Sequence, residues 1–426
     1  SGETPRSGRH PAANLAGCFS VAVPVLSCLQ VSKPMAARPL QQTGDVPNWT
    51  NLPVLNSLRA GTQICFATDE WFAVADNLNK EEPIEFDENA FDEHGKVMDG
   101  WETRRKRTAG HDWCLMKLGL AGVIKGLEVD TAFFTGNQVP RISIQGACLP
   151  GDLPLPPWNA KPRKGTAASP EEVKAAEAVG SDTWHTILPM TPLNPGYFDC
   201  CKHFFPVDSA QRWTHIRVNY WPDGGVSRLK CYGEVSKDWS GWLASNPESG
   251  KELVDLVAAE NGGLGLQASN SHYGRPQNLL NMGRGVNMGD GWETARNPKR
   301  PPVFKVNAEG MMELPGCDWC ILQLGTPGTA AVLEVDTLHF KGNYPESCLV
   351  EGCYAPQAPF NPNNAQWVPL LRRTRLTANA IHKFDASSGL QTPPSPISHL
   401  RLTIFPDGGV SRVRLWGRPA PQLSKI

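Results

Sequence analysis

The pentapeptide Asp99-Gly100-Trp101-Glu102-Thr103 recurs letter for letter at Asp290-Gly291-Trp292-Glu293-Thr294. Longer phrases flank both copies in the same order. HDWCLMKLG (111–119), GLEVDTAFFTGN (126–137) and THIRVNYWPDGGVSRLKCYG (214–233) are answered by CDWCILQLG (317–325), VLEVDTLHFKGN (332–343) and SHLRLTIFPDGGVSRVRLWG (398–417). The spacing between matched phrases drifts, as it does when two copies gain and lose loop residues independently. A unit this long is a duplicated domain rather than a solenoid module of roughly 20 to 50 residues. Whatever one half folds into, the other half must fold into as well.

Inside each copy the dominant pattern has period two. Ile216, Val218 and Tyr220 alternate with His215, Arg217 and Asn219, Pro222-Asp223-Gly224-Gly225 supplies turn chemistry, and alternation resumes to Cys231. Such alternation marks half-buried strands, and an Asp-Gly-Gly turn between two of them predicts a hairpin. The second copy repeats the pattern through Leu400, Leu402, Ile404 and Pro406-Asp407-Gly408-Gly409. Trp113, Leu115, Leu118 and the Leu127-Val129-Thr131 alternation predict further short strands. With 40 glycines and 38 prolines as punctuation, the expected fold is all-β: two tandem jelly-roll β-sandwich domains. Ser169-Pro170-Glu171-Glu172 combines an N-cap, a first-turn proline and a capping-box glutamate, predicting a short helix within a Pro-rich insertion over 150–182. KELVDLVAAENGG (251–263) predicts a second helix that stops at Asn261-Gly262. The expected layout is a tail over 1–47, a first domain over 48–236, a linker over 237–250, a second domain over 251–420 and a tail over 421–426.

A formal net charge of −1 leaves no broad electrostatic footprint for nucleic acid. No apolar run reaches the roughly 20 residues of a membrane helix. Before Asp45, Arg6, Arg9, Lys33 and Arg38 face a single acid, Glu3, which reads as an organellar transit segment, as a disordered tail, or as coding sequence ahead of a true start at Met35. Ser424-Lys425-Ile426 is one residue from the Ser-Lys-Leu peroxisomal address, so the expected location is peroxisomal or cytoplasmic. Twelve cysteines show no paired-knuckle spacing; Cys317-x-x-Cys320 is matched by His111 and Cys114, which fits small strand residues better than a zinc or redox motif. A reducing interior follows, in which the Asn48-Trp49-Thr50 sequon is idle. No cofactor motif is evident, and a divalent metal is left open.

The repeated phrases resemble those of the allantoicase family. FATDEWFAVADNLN (66–79), MDGWETRRKRTAGHDWC (98–114), EVDTAFFTGN and HIRVNYWPDGGVSRLKCYG are similar to its first repeat; NMGDGWETARNPKRPP (287–302), EVDTLHFKGN and HLRLTIFPDGGVSRVRLWG are similar to its second. The resemblance runs from Asn48 to about Pro419. It implies a hydrolase that cleaves allantoate to ureidoglycolate and urea in purine breakdown, built from two jelly rolls of the galactose-binding type and assembled as a homo-oligomer.

Allantoate carries a carboxylate, a hydrogen and two ureido groups on one carbon. Losing urea there breaks a C–N bond at a geminal diamine centre, so no serine or cysteine nucleophile is required. One ureido nitrogen pushes the other group out once that group is protonated, and water adds to the resulting imine. The parts needed are a cation for the carboxylate, acid and base groups, and donors that match amides. The chain shows no nucleophile elbow, Walker loop or dinucleotide fingerprint. In GLEVDT, Glu128 and Asp130 share one strand face, a pair that serves either as acid and base or as an ordinary outer sheet face. His203 and His215 match His382 and His399, which reads as sheet histidines more readily than as metal ligands.

Residues identical in both copies favour a structural role, whereas one active site needs asymmetric parts. Asp69-Glu70-Trp71 aligns with Asn270-Ser271-His272, His111 faces Cys317, and His339 replaces Phe133. The candidate catalytic set is Asp69, Glu70, His111 and His339 from these differing positions, together with the duplicated Glu102 and Glu293. Arg105, Asn270, His272 and Arg296 are the candidate substrate-binding residues, the arginines because a guanidinium fork grips a carboxylate. The two sets could meet across a cleft between the domains or at a subunit interface. The rival function is that of a tandem ligand- or carbohydrate-binding protein, and a second rival is release of ammonia from allantoate. A fold by itself does not decide among them.

Overall fold

The computed structural model describes residues 46–245, 252–355 and 359–420. The expected transit segment, the end of the linker (246–250) and the Ser424-Lys425-Ile426 signal lie outside the described residues. No helix among the described residues is long and apolar enough to cross a membrane.

Each repeat is an antiparallel two-layer arrangement organised by one very long strand, Asp112–Asp130 in the first copy and Asp318–Asp336 in the second. The sequence pattern broke this strand into short pieces. The chain instead runs on through Gly119 and Gly122, where a Cβ would come within 2.6 Å of the Ala60 backbone and 2.3 Å of the Glu234 carbonyl, respectively. These glycines let neighbouring backbone close in on the point where the strand leaves one layer for the other. Its first half lies between strands Gln63–Ala67 and Arg212–Trp221 in a five-stranded layer completed by Arg141–Ala147 and His185–Pro192. Its second half lies between Lys202–Pro206 and Arg228–Val235.

The Pro-Asp-Gly-Gly turn therefore closes no hairpin. Asp112 to Lys117 pair with Tyr220 to His215, while Asp130 to Gly122 pair with Arg228 to Val235. The strands either side of the turn bond to different halves of the long strand, so the turn carries the chain between layers. A cis Trp221–Pro222 bond stands at its start, as cis Phe405–Pro406 does in the second copy. The second repeat has the same plan, with Leu264–Ala268, Ile397–Phe405, Ser347–Cys353 and Val368–Arg375 in one layer and Arg412–Pro419 and Ile381–Phe384 in the other. Each repeat has its own buried cluster, centred on Phe66, Leu115, Val218 and Leu229 in the first and on Leu322, Val350, Leu402 and Leu415 in the second.

The expected insertion helix forms over Pro170–Glu177 with its capping box complete, Ser169 and Glu172 each accepting the other's backbone N–H. The helix expected over 251–263 does not form. Val254–Asp255 is a strand pairing with Trp416 and Gly417, followed by a 3-10 turn over Ala259–Asn261. Leu256, Val257 and Ala258 are all fully buried, so the apolar run is covered on every side rather than on one helical face. A short helix sits earlier, at Trp239–Ser245, where Trp239 donates to the Gly325 carbonyl at 3.0 Å.

The duplicated pentapeptide is a clamp on the interlayer turn. Asp99 and Asp290 ion-pair with Arg228 (2.5 Å) and Arg412 (2.8 Å), the buried arginines just after each turn. A Cβ on Gly100 or Gly291 would come within 2.4 or 2.6 Å of the carbonyl of Val226 or Val410. Trp101 and Trp292 are wholly buried and donate to the carbonyls of Asp69 and Asn270 at 2.9 Å. Asn137 donates to Glu102 at 2.7 Å, and Asn343 donates to Glu293 in the same way. Thr103 and Thr294 accept the N–H of Gly224 (3.2 Å) and Gly408 (3.1 Å). All five letters have the same work in both copies.

Candidate active site

The alternation that buries Ile216, Val218 and Tyr220 puts Arg217, Asn219 and Trp221 on the other face of the five-stranded layer. That face is covered by the insertion between strands Arg141–Ala147 and His185–Pro192. A cleft of about 1100 Å³ opens there. Trp113 and Arg217 lie at its floor. Arg104 to Gly110, continuing from the clamp, form one wall with His111, and Ala168, Val173, Glu177 and Asp182 of the insertion form the other.

Arg217 is 6% exposed, and no carboxylate among the described residues lies within ion-pair distance of it. Its guanidinium stacks over Trp113 at 3.9 Å, its Nε donates to Asn219 Oδ1 at 2.7 Å and one Nη donates to Ser181 Oγ at 2.8 Å. Burial holds its pKa below the usual arginine value, but arginine keeps its charge throughout the working range. His111 stacks on Trp221, ring centroids 3.7 Å apart, and its Nε2 lies 3.0 Å from Asn219 Oδ1. Burial, reinforced by Arg217 and Lys106, lowers the imidazole pKa, against the opposing hydrogen bond to Asn219 and the charge of Asp112. The cleft thus holds a buried cation that has no ion-pair partner among the described residues, with Asp182 and Glu177 acting on it at longer range, beside an imidazole kept neutral. That is equipment for an anion and a proton transfer.

Three of the ten candidates line this cleft: Asp69, Arg105 and His111. Arg105 is exposed and has no ion pair among the described residues. Asp69 holds the wall together, accepting Arg104 Nε at 2.8 Å and the Trp71 and Arg104 backbone N–H groups at 3.1 Å. Asn270 does the corresponding backbone work, accepting from His272 (3.0 Å) and Ala295 (3.1 Å). Glu70 lies behind the wall. It is 1% exposed and accepts from Ala75 N (2.8 Å) and Trp158 Nε1 (2.9 Å), while burial raises its pKa. Glu102 and Glu293 belong to the two clamps, and burial pushes Glu102 up to about 7. His272 and Arg296 are exposed on the second repeat. His339, at φ 74°, bonds through Nε2 to the Gly285 carbonyl at 2.7 Å. The cavity lined by both repeats, which includes Arg59, Tyr232, Arg275 and Asp290, contains none of the ten.

The duplicated acids and histidines fall to the scaffold. Glu128 and Asp130 are buried rather than on an open face; Tyr232 donates to Glu128 at 2.7 Å and Asp130 accepts Ala132 N at 2.8 Å. His203 and His382 each face a strand carbonyl, Val129 or Val335, at 3.1 Å. The ten described cysteines are free.

Reading the sequence for candidates passed over Arg217, Asn219, Trp221 and Ser143. The usable signal was the register partner. Ser143, Gln145, Asn219 and Trp221 become Leu349, Glu351, Thr403 and Phe405 in the second copy, as His111 becomes Cys317. Arg401, the counterpart of Arg217, is neutralised by Glu351 at 2.6 Å and lies under Trp367, and Phe360 stacks on the neighbouring His399 at 3.9 Å. The shorter connection of the second repeat brings these two aromatics onto the face that the insertion leaves open in the first.

A family profile described as "Allantoicase repeat" matches residues 54–236 and 254–420. A "Probable allantoicase" of Pseudomonas aeruginosa is 42% identical over 370 residues, 86% of this chain and 95% of that protein. "Probable allantoicase 1" of Burkholderia mallei is 40% identical over 84% of this chain and 92% of its own length. The crystal structure of allantoicase from Saccharomyces cerevisiae superposes with a TM-score of 0.58 at 30% identity, covering 86% of this chain and 92% of the yeast chain.

Proposed function

The chain belongs to the allantoicase family, and on that premise we propose that it cleaves allantoate to ureidoglycolate and urea in the cleft of the first repeat. The observation that supports this placement is Arg217, a buried guanidinium that, among the described residues, has one Nη without a hydrogen-bond partner and no carboxylate within ion-pair distance, Asp182 and Glu177 acting on it only from farther off. The substrate carboxylate supplies to Arg217 the negative charge that Glu351 supplies to Arg401 in the other repeat, where Gln145 stands in the first. Arg105 at the rim adds a second positive charge that draws the anion in. With the carboxylate on Arg217, the geminal carbon lies toward His111.

His111 is the proton carrier. As a neutral imidazole it accepts the N–H proton of the retained ureido group and returns it to the departing nitrogen as the C–N bond breaks, giving urea and an imine. It then takes a proton from water as the oxygen bonds to carbon and passes it to the imine nitrogen, giving ureidoglycolate. Protons balance across the two steps, and no covalent bond to the protein forms. The base form predominates above the histidine pKa, which lies below the ordinary value near 6.5, so activity is lost on the acid side. Self-association, which the family resemblance implies, is part of the same proposal.

The test is urea release from allantoate by a His111→Ala variant. Removing the proton carrier lowers kcat by roughly 10²- to 10⁴-fold with the fold intact. Full activity in a folded variant would remove the cleft from consideration.

A further inference from the structure

We infer that Asn219 is a positioning residue that fixes the tautomer of His111, placing the proton on Nε2 and the basic lone pair on Nδ1. The inference rests on the cleft reading above. The amide of Asn219 is oriented from both ends. Its Oδ1 receives Arg217 Nε at 2.7 Å, and arginine only donates. Its Nδ2 donates to Gln145 Oε1 at 3.1 Å and Ser143 Oγ at 3.2 Å. Gln145 is oriented in turn, because its Nε2 donates to the Asp182 carbonyl at 2.7 Å. Oxygen therefore faces the imidazole, and the contact from His111 Nε2 at 3.0 Å is a bond only if Nε2 carries the hydrogen. Nδ1 has no partner among the described residues and belongs to a side chain that lines the cleft.

The remaining neighbours fix the plane of the ring and its charge. Trp221 stacks on it and is held by its own Nε1–H to Ser143 Oγ at 2.9 Å. Arg217 and Lys106 oppose a positive ring, Asp112 favours one, and Asp112 is itself occupied by Lys106 at 2.7 Å. A carboxylate at position 219 would hold the imidazolium; the amide gives the same acceptor without the charge. Thr403, at the matching register in the second repeat, offers no such amide, and no histidine stands beside it.

The test uses the full-length enzyme and three variants. In Asn219→Asp the acid limb of the kcat–pH profile moves up by about one pH unit or more, because an anion now faces Nε2. In Asn219→Leu, kcat falls by about tenfold or more at neutral pH, and the two ring nitrogens of His111, assigned by comparison with His111→Gln in histidine-labelled protein, show mixed tautomers by nitrogen NMR. Wild type shows the Nε2–H form alone. An unmoved acid limb in Asn219→Asp, or an Nδ1–H or charged His111 in wild type at pH 8, overturns the inference while leaving His111 as proton carrier. A fully active His111→Gln would overturn both.

Discussion

Arg217 and Arg401 stand at the same register of the same strand in two copies of one repeat, and they live in opposite surroundings. Arg401 has Glu351 beside it and Trp367 over it; Arg217 has Gln145 and Asn219, and an open cleft. The arginine itself did not change. Its neighbours differ, with Gln145 and Asn219 standing where Glu351 and Thr403 stand, and the connection is longer in the first repeat. The scaffold around them stayed fixed because the clamp of Asp-Gly-Trp-Glu-Thr holds both interlayer turns by the same bonds. On the proposed reading, duplication supplied two stable platforms and the chemistry uses one of them.

That comparison is sharpened first on the shared side. Trp101 and Trp292 are equally buried and make equivalent hydrogen bonds, so Trp101→Ala and Trp292→Ala should each cost about 3–5 kcal/mol of stability. Denaturant unfolding of both variants checks this. A loss in one copy and none in the other would show that the clamp is not common scaffolding.

A smaller effect separates the clamp from catalysis. Glu102 is pushed up to about 7 by burial, partly offset by the hydrogen bond from Asn137. A carboxyl that holds its proton more tightly folded than unfolded stabilises the protein below the unfolded pKa and loses that contribution as pH rises through about 7. Glu102→Gln keeps the acceptor for Asn137 and removes the ionisation. The variant should be more stable than the parent at pH 8, by up to about 3 kcal/mol, with the difference shrinking toward pH 4. Urea midpoints at the two pH values read this directly, and a gain independent of pH would contradict it. Urea release should survive the substitution.

Much of this was legible in the sequence, and the errors have physical causes. The duplication, the all-β patterning and the capped helix at Pro170 were plain because each rests on local periodicity or capping. The single strand Asp112–Asp130 was not, since its glycines look like breaks until neighbouring backbone is seen packed against them. The apolar run at Leu256 looked helical because burial from all sides leaves no period to read. Among site residues, searching for differences between the copies found His111 and missed Arg217. An unchanged residue whose partners changed leaves no mark at its own position. Asp69 and Asn270, which do differ, keep the same backbone bonds, so that difference says little about chemistry.

The most direct measurement is kcat/KM for urea release by Arg217→Ala and Arg401→Ala, each checked for folding. Arg217 without an ion pair in the cleft of the first repeat, and Arg401 paired with Glu351 in the second, predict a loss of about 10³-fold or more for Arg217→Ala and a change within about threefold for Arg401→Ala. Equal losses in both variants, or a larger loss in Arg401→Ala, would contradict the assignment of the chemistry to the first repeat.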